Sequence, residues 1–327
     1  MRKLSVAISV AFIMLATAGT AHASLTEFMT FVGNVGYSSD GFGSLLDDGI
    51  ISANAPLGAT VLGAYLYSAT FGDHVSDATL NGVDVAFGPP VVNTSQPFLA
   101  MKRADVTAIV KPIIDAGGGG IYDFRVTESG SSVDGEALIV VYSLPALPVA
   151  TVGILDGFSD VSGDNTAINF ADPLHPAMPG FFAEMIIGDS FSCCGQTSTI
   201  AVNGTTITRN AGNNDDSVDA DVSDGNLITV GGFNDPFSPF LPDYDTDHER
   251  YNLVPYIVDG NTSIHVFTRN PSTDDNIFLA LFHVFGRAGI NEPPPTEGPP
   301  GVPKPSTMLL LSSGLVLAGL RKIRKLS

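Results

Sequence analysis

The chain of 327 residues has almost no cysteine, and the two it has, Cys193 and Cys194, are neighbours. Adjacent Cα atoms sit about 3.8 Å apart, below the usual disulfide span, so no framework of cross-links is available. The pair reads either as unlinked thiols, with a bridge to another chain as a variant, or as a strained vicinal disulfide favoured by an oxidising compartment. Two thiolates alone do not make a zinc site. Basic residues are scarce as well. Two of the 15 Lys and Arg lie in residues 1–23 and five in 302–327, which leaves eight against all 34 Asp and Glu, a balance of −26 for the stretch between. Such a body repels nucleic acid and anionic membrane surfaces and attracts cations, so no nucleic-acid partner is expected. Enzyme signatures are missing too. There is no G-x-S-x-G elbow, no H-E-x-x-H and no G-x-x-x-x-G-K-[ST]. His74, His175, His248, His265 and His283 fall in loop or strand patterns without a visible nucleophile, and no catalytic residue is assigned.

Helical periodicity is nearly absent from the body. Short alternating or β-branched runs recur, broken by Gly, Asn, Asp and Pro: Val61–Ala69, Val83–Phe87, Ile121–Thr127 and Glu136–Ser143. Asn81-Gly82 between apolar runs predicts a two-residue hairpin, because both positions tolerate φ > 0. Asp105–Ile114 reads as a short helix or a strand, with Pro112 disturbing either. With 44% hydrophobic residues the chain has enough apolar material for a sizeable core.

The second half repeats this order. Phe182–Ile187 matches the Ala64–Tyr67 region, and Asn203-Gly204 matches the first hairpin. Asn252–Val258 matches Asp105–Ile114, Ser263–Thr268 matches Tyr122–Thr127, and Asn276–Phe285 matches Glu136–Tyr142. Five elements in one order predict a duplication. The expected fold is all-β: two tandem antiparallel β-sandwich units of jelly-roll-like character, over 24–148 and 149–288. A proline-rich spacer follows at 289–301, extended and semi-rigid.

Both ends read as addresses. Met1-Arg2-Lys3 is a positive start, Leu4–Leu15 is largely apolar, and Ala21-His22-Ala23 before Ser24 is a cleavage site, so residues 1–23 are expected to be a signal peptide. At the other end Val302, Pro303, Lys304, Pro305, Ser306 and Thr307 precede an apolar run, Met308–Leu320, predicted to be a short helix. Arg321, Lys322, Arg324 and Lys325 then form a basic stop-transfer end. A run of 13 residues falls short of the roughly 20 needed to span a bilayer and suits a transient hold. This tail resembles the PEP-CTERM sorting signal, with Lys304 where that family usually has Glu. The resemblance implies export, an exosortase-type enzyme in the membrane as partner, removal of the tail, and a surface or extracellular-matrix setting linked to exopolysaccharide. Within the body, Asp123–Val126 and Glu136–Tyr142 with Gly153–Gly157 are similar to uncharacterised bacterial and archaeal surface domains, which implies an extracellular β domain and no activity.

Two acidic stretches are candidate calcium sites. Asp243, Asp245, Asp247 and Glu249 alternate, so an extended backbone points all four carboxylates to one side, and hard oxygens suit Ca²⁺. Asp219, Asp221 and Asp224 fall one residue off a calcium-loop register in Asn213–Asn226. The competing reading of both is a solvated acidic loop. The expectation is therefore an exported, non-catalytic surface or matrix protein whose partners are the processing enzyme and exopolysaccharide or itself. The alternatives are a calcium-dependent carbohydrate-binding or adhesive module and an exported hydrolase on a jelly-roll scaffold.

Overall fold

The computed structural model describes residues 24–43, 47–72, 74–129, 132–190, 198–212, 227–271, 276–295 and the backbone of 304–305. Several expectations lie outside these residues: the signal peptide with Ala21 and Ala23, Cys193 and Cys194, and Asp219, Asp221 and Asp224. So do Val302, Pro303, Ser306, Thr307 and the basic end with its apolar run.

The described chain is all-β, antiparallel and sandwich-like, as the strand-and-turn pattern requires. Strands are numbered in chain order. In the first half a five-stranded sheet runs β2 (Val35–Phe42), β10 (Val133–Ser143), β4 (Thr60–Phe71), β8 (Leu99–Asp105), β7 (Val91–Val92). A four-stranded sheet runs β3 (Asp48–Ala55), β9 (Gly120–Ser129), β5 (Asp77–Leu80), β6 (Val83–Asp84). In the second half a seven-stranded sheet runs β16 (Ile228–Val230), β13 (Ala183–Ser190), β19 (Asn276–Phe285), β11 (Ala150–Asp156), β1 (Thr26–Gly33), β21 (Lys304–Pro305), with β17 (Arg250–Asn252) also on β13. Its companion runs β15 (Thr205–Ala211), β14 (Ser198–Val202), β18 (Ser263–Arg269), β12 (Asp164–Phe170), β20 (Ala288–Ile290).

The two halves share a topology. The order β2-β10-β4-β8 recurs as β11-β19-β13-β17, and β3-β9-β5-β6 recurs as β12-β18-β14-β15. Helix α1 (Thr107–Asp115), which contains Pro112 and buries Val110 and Ile114, follows β8. A 3₁₀ turn at Val254–Tyr256 occupies the same place after β17. The ambiguous Asp105–Ile114 stretch is thus the end of a strand followed by a helix.

Three apolar clusters stack the four sheets. Leu66, Leu138 and Phe124 lie in the cluster between the sheets of the first sandwich, and Met185, Phe282 and Ile264 in that of the second. A third, with Tyr67, Ile139, Val152 and Leu281, joins the five-stranded sheet of β10 to the seven-stranded sheet. The two middle sheets are consequently covered on both faces, and their strands β10, β11, β13 and β19 are buried along nearly every residue. Outer strands such as β9 and β18 alternate between buried and exposed, because only one face meets the core.

Two boundaries differ from expectation. β1 pairs with β11 from Thr26 to Gly33, so the first strand lies in the sheet of the second half and covers an edge that β11 otherwise leaves open. The second unit also runs past residue 288: Ile290 is buried on β12, and Asn291 bonds to Ala167. Beyond it the backbone of Lys304 and Pro305 pairs with Thr30 and Met29 on the free side of β1.

Candidate functional site

The alternating acids of 243–249 do not form one face. A 3₁₀ turn at Tyr244–Thr246 breaks the extended backbone. Asp243 and Asp245 remain exposed, whereas Asp247 and Glu249 are fully buried. Asp247 Oδ1 accepts hydrogen bonds from Ser238 Oγ and the Tyr251 hydroxyl, both at 2.8 Å, and Oδ2 accepts one from Thr208 Oγ1. Glu249 Oε1 accepts one from the Gly212 backbone N–H at 3.1 Å. Internal donors thus bind the two inner carboxylates. Among the described residues, no group of three or more His, Cys, Asp or Glu is arranged to hold a metal ion.

A different constellation forms where the two middle sheets meet. β13 pairs with β19 on one side and with β17 on the other, which sets Glu184 directly across from His283 and Ile186 across from Arg250. Arg250 Nη2 and Nε donate to Glu184 Oε2 at 2.9 and 3.3 Å, and His283 Nδ1 lies 2.9 Å from Oε1. Arg250 Nη1 donates to the Asp235 carbonyl at 2.9 Å and its guanidinium stacks 4.6 Å from the Phe237 ring. From the facing sheet, Tyr37 of β2 meets the His283 ring edge-on at 5.2 Å, while Phe182 covers that ring at 4.4 Å. Tyr37, Glu184, Arg250 and His283, together with Gly36, Asn54, Pro56, Tyr142, Leu147 and Phe233, line a cleft of about 390 Å³.

The electrostatics follow from this crowding. Burial alone pushes the Glu184 carboxyl up, but the His283 hydrogen bond and the Arg250 charge outweigh it and hold the group below the ordinary glutamate range. Burial pushes the Tyr37 and Tyr142 hydroxyls up, and the Glu184 charge adds to both. The two phenols therefore stay neutral donors at neutral pH. Both Glu184 oxygens are occupied by cationic or donor groups, so this carboxylate is neither a free base nor a free nucleophile. His283 Nε2 is buried and has no hydrogen-bond partner among the described residues. Nε2 is therefore the ring atom left to meet a ligand hydroxyl.

Comparison with known proteins adds little. No family model matches the chain, and no curated protein matches it. Among solved structures, a β-porphyranase of glycoside hydrolase family 86 from the human gut bacterium Bacteroides plebeius aligns at 8% identity with a TM-score of 0.20. That alignment covers 83% of this chain and 38% of the other, so the chain spans well under half the length of the protein it aligns with.

Sequence reasoning missed the cleft. Glu184 sits in a strand with no local motif, and His283 reads from its strand pattern as a core or face histidine. One signal was present: a glutamate and a histidine, each inside an otherwise continuous apolar strand, must be paired if buried.

Proposed function

We propose that the chain is an exported, non-catalytic protein of the cell surface or extracellular matrix, its duplicated β-sandwich body carried to its place by a removable C-terminal sorting tail. One observation carries the non-catalytic part. Glu184, the single acid among the residues lining the cleft, is clamped on both oxygens by Arg250 and His283. General acid–base or nucleophilic chemistry requires a group free to exchange a proton or attack. Glycoside hydrolysis in its common form uses two carboxylates flanking one bond, and this cleft offers one. What it does offer is a preorganised set of rings and polar groups, which suits binding. The tail argues for handover to an exosortase-type enzyme, and the acidic body argues against nucleic acid as a partner.

The test has two arms. The full chain, with and without residues 302–327, is expressed in a host that exports it, and cells, membranes and medium are fractionated. The intact chain is expected to pass through the membrane fraction before appearing shortened at the surface or outside. Equal yield and placement of the truncated chain would remove the address. In the second arm, turnover on a glycan or ester panel that Glu184→Gln abolishes would sink the non-catalytic reading.

A further inference from the structure

A second concavity lies on the outer face of the second sandwich, away from the Glu184 cleft. It is a groove of about 760 Å³ between the Asn203-Gly204 hairpin turn and the segment following the 3₁₀ turn at Val254–Tyr256. Internal bonds fix its shape. Asn203 Nδ2 donates to the Tyr256 carbonyl at 2.8 Å, Asn203 Oδ1 accepts from the His265 N–H at 2.9 Å, and Asn261 Oδ1 accepts from the Val258 N–H at 2.8 Å. The walls are preorganised before any ligand arrives, which lowers the ordering cost of binding.

At its rim stands an aromatic pair. Phe240 is 60% exposed, and its ring lies 6.4 Å from that of Tyr256 with the planes inclined by 34°. An exposed phenylalanine forgoes about 1.5–3 kcal/mol of burial. The next residue adds to this cost: Leu241 has φ +50, a left-handed conformation that a side chain this bulky rarely adopts, and its N–H is tied to the Ile207 carbonyl at 2.8 Å. Such strain costs about 1–3 kcal/mol and persists where the surroundings impose it. Phe240 thus stays exposed beside Tyr256, which lines the groove.

We propose that this groove binds a neutral polysaccharide chain. The lining residues carry no Asp, Glu, Lys or Arg, on a body whose formal balance is −26. A polyanion would be repelled by the whole protein and find no Lys or Arg lining the groove. A peptide strand would need a row of free backbone groups. The turn's groups are already used: Asn203 N–H bonds to the His265 carbonyl and Asn261 N–H to the Val258 carbonyl. What remains is the Tyr256 ring with its Phe240 neighbour for the C–H face of a pyranose, and Tyr256, Thr205 and Asn261 among the lining residues to meet sugar hydroxyls. The proposal goes beyond the surface-protein reading and does not depend on it, since a catalytic chain would carry the groove equally well.

Native affinity electrophoresis of the full chain tests it, with laminarin, galactomannan, xyloglucan and pullulan as neutral probes and alginate as the anionic one. At least one neutral glycan should retard the protein and alginate should not. Phe240→Ala with Tyr256→Ala should weaken retardation about tenfold or more in a chain that still melts cooperatively, at a somewhat lower temperature because Tyr256 packs against the core. Tyr256→Phe, which keeps the ring, should retain most of it. Phe71→Ala with Phe98→Ala, an exposed aromatic pair elsewhere on the surface, should bind as the parent does. Failure of every neutral glycan, equal retardation by alginate, competition by an unrelated apolar peptide, or full binding by the Phe240/Tyr256 double variant would each overturn the proposal.

Discussion

Asn81 and Asn203 are held by the same pair of bonds in the two halves of the molecule. Asn81 N–H donates to the Arg125 carbonyl at 2.8 Å while Asn81 Oδ1 accepts from the Arg125 N–H at 2.8 Å. Asn203 does the same with His265, at 2.8 and 2.9 Å. Their φ angles are 52° and 48°, and a glycine with positive φ follows each. The equivalence sharpens the duplication by one residue, aligning His265 with Arg125. Asn291 repeats the device with Ala167, at φ 54°.

These turns make a graded prediction. Asn81→Ala places a Cβ-bearing residue without a compensating side-chain bond in the left-handed region and should cost about 1–2 kcal/mol. Asn203→Ala should cost more, because Asn203 Nδ2 also donates to the Tyr256 carbonyl. Glycine at either position should cost less than alanine. Urea denaturation of the four variants checks the ranking, and an alanine cost no greater than that of glycine contradicts it.

Buried carboxylates set an unusual pH dependence. Burial lifts Asp40 to about 7 and Asp134 to about 8, and holds Glu136 well above the glutamate range with the Glu128 carboxylate adding to the effect. In the unfolded chain such groups titrate near 4. Raised folded values mean stability that is complete below that point and lost as pH climbs through about 7 and 8. Glu184 acts oppositely, since its lowered value makes its contribution disappear in acid. The melting temperature should therefore fall between pH 5 and pH 9, and Glu136→Gln should raise it at pH 9 while leaving pH 5 nearly unchanged. A melting temperature that rises over this range would refute the assignment.

The acidic run 243–249 separates cleanly by burial. Asp247→Ala strips the acceptor from Ser238, Tyr251 and Thr208 and should cost about 3–5 kcal/mol. Asp243→Asn with Asp245→Asn should stay within about 0.5 kcal/mol, as exposed positions do. Melting curves with added calcium and with chelator complete the comparison: whatever calcium shift the parent shows, the exposed double variant should keep. Loss of that shift in the double variant would return these two residues to the list of metal ligands.

The clamp on Glu184 is the last test. Glu184→Gln leaves Arg250 without its charge partner in a half-buried site, and a loss of about 2 kcal/mol is expected after allowing for solvent screening. Arg250→Met added to that variant should recover part of it. A neutral single variant would show that the cleft's polar groups are held by packing alone.

Much of the architecture was legible because it is written locally. Glu136–Ser143 and Asn276–Phe285 read as continuous apolar runs since their strands lie in sheets covered on both faces, whereas Ser263–Thr268 alternates since its strand has one wet face. Asn-Gly declares a hairpin because left-handed φ is a property of the residue itself. The placement of β1 was not legible: pairing with β11 joins segments more than a hundred residues apart, and any strand with an apolar face satisfies the same local pattern.

The sequence by itself determined the strand content, the repeated order of elements and the strong negative charge of the body, all of which depend on composition, period and neighbouring residues. Tertiary structure alone decided which acids are buried. A 3₁₀ turn of three residues precedes Asp247, whose carboxylate is held inward by Ser238, Thr208 and Tyr251, while Asp243 and Asp245 stay in water. It alone also assembled Tyr37, Glu184, Arg250 and His283 from four strands, because stacking two sandwiches creates neighbours that no spacing along the chain encodes.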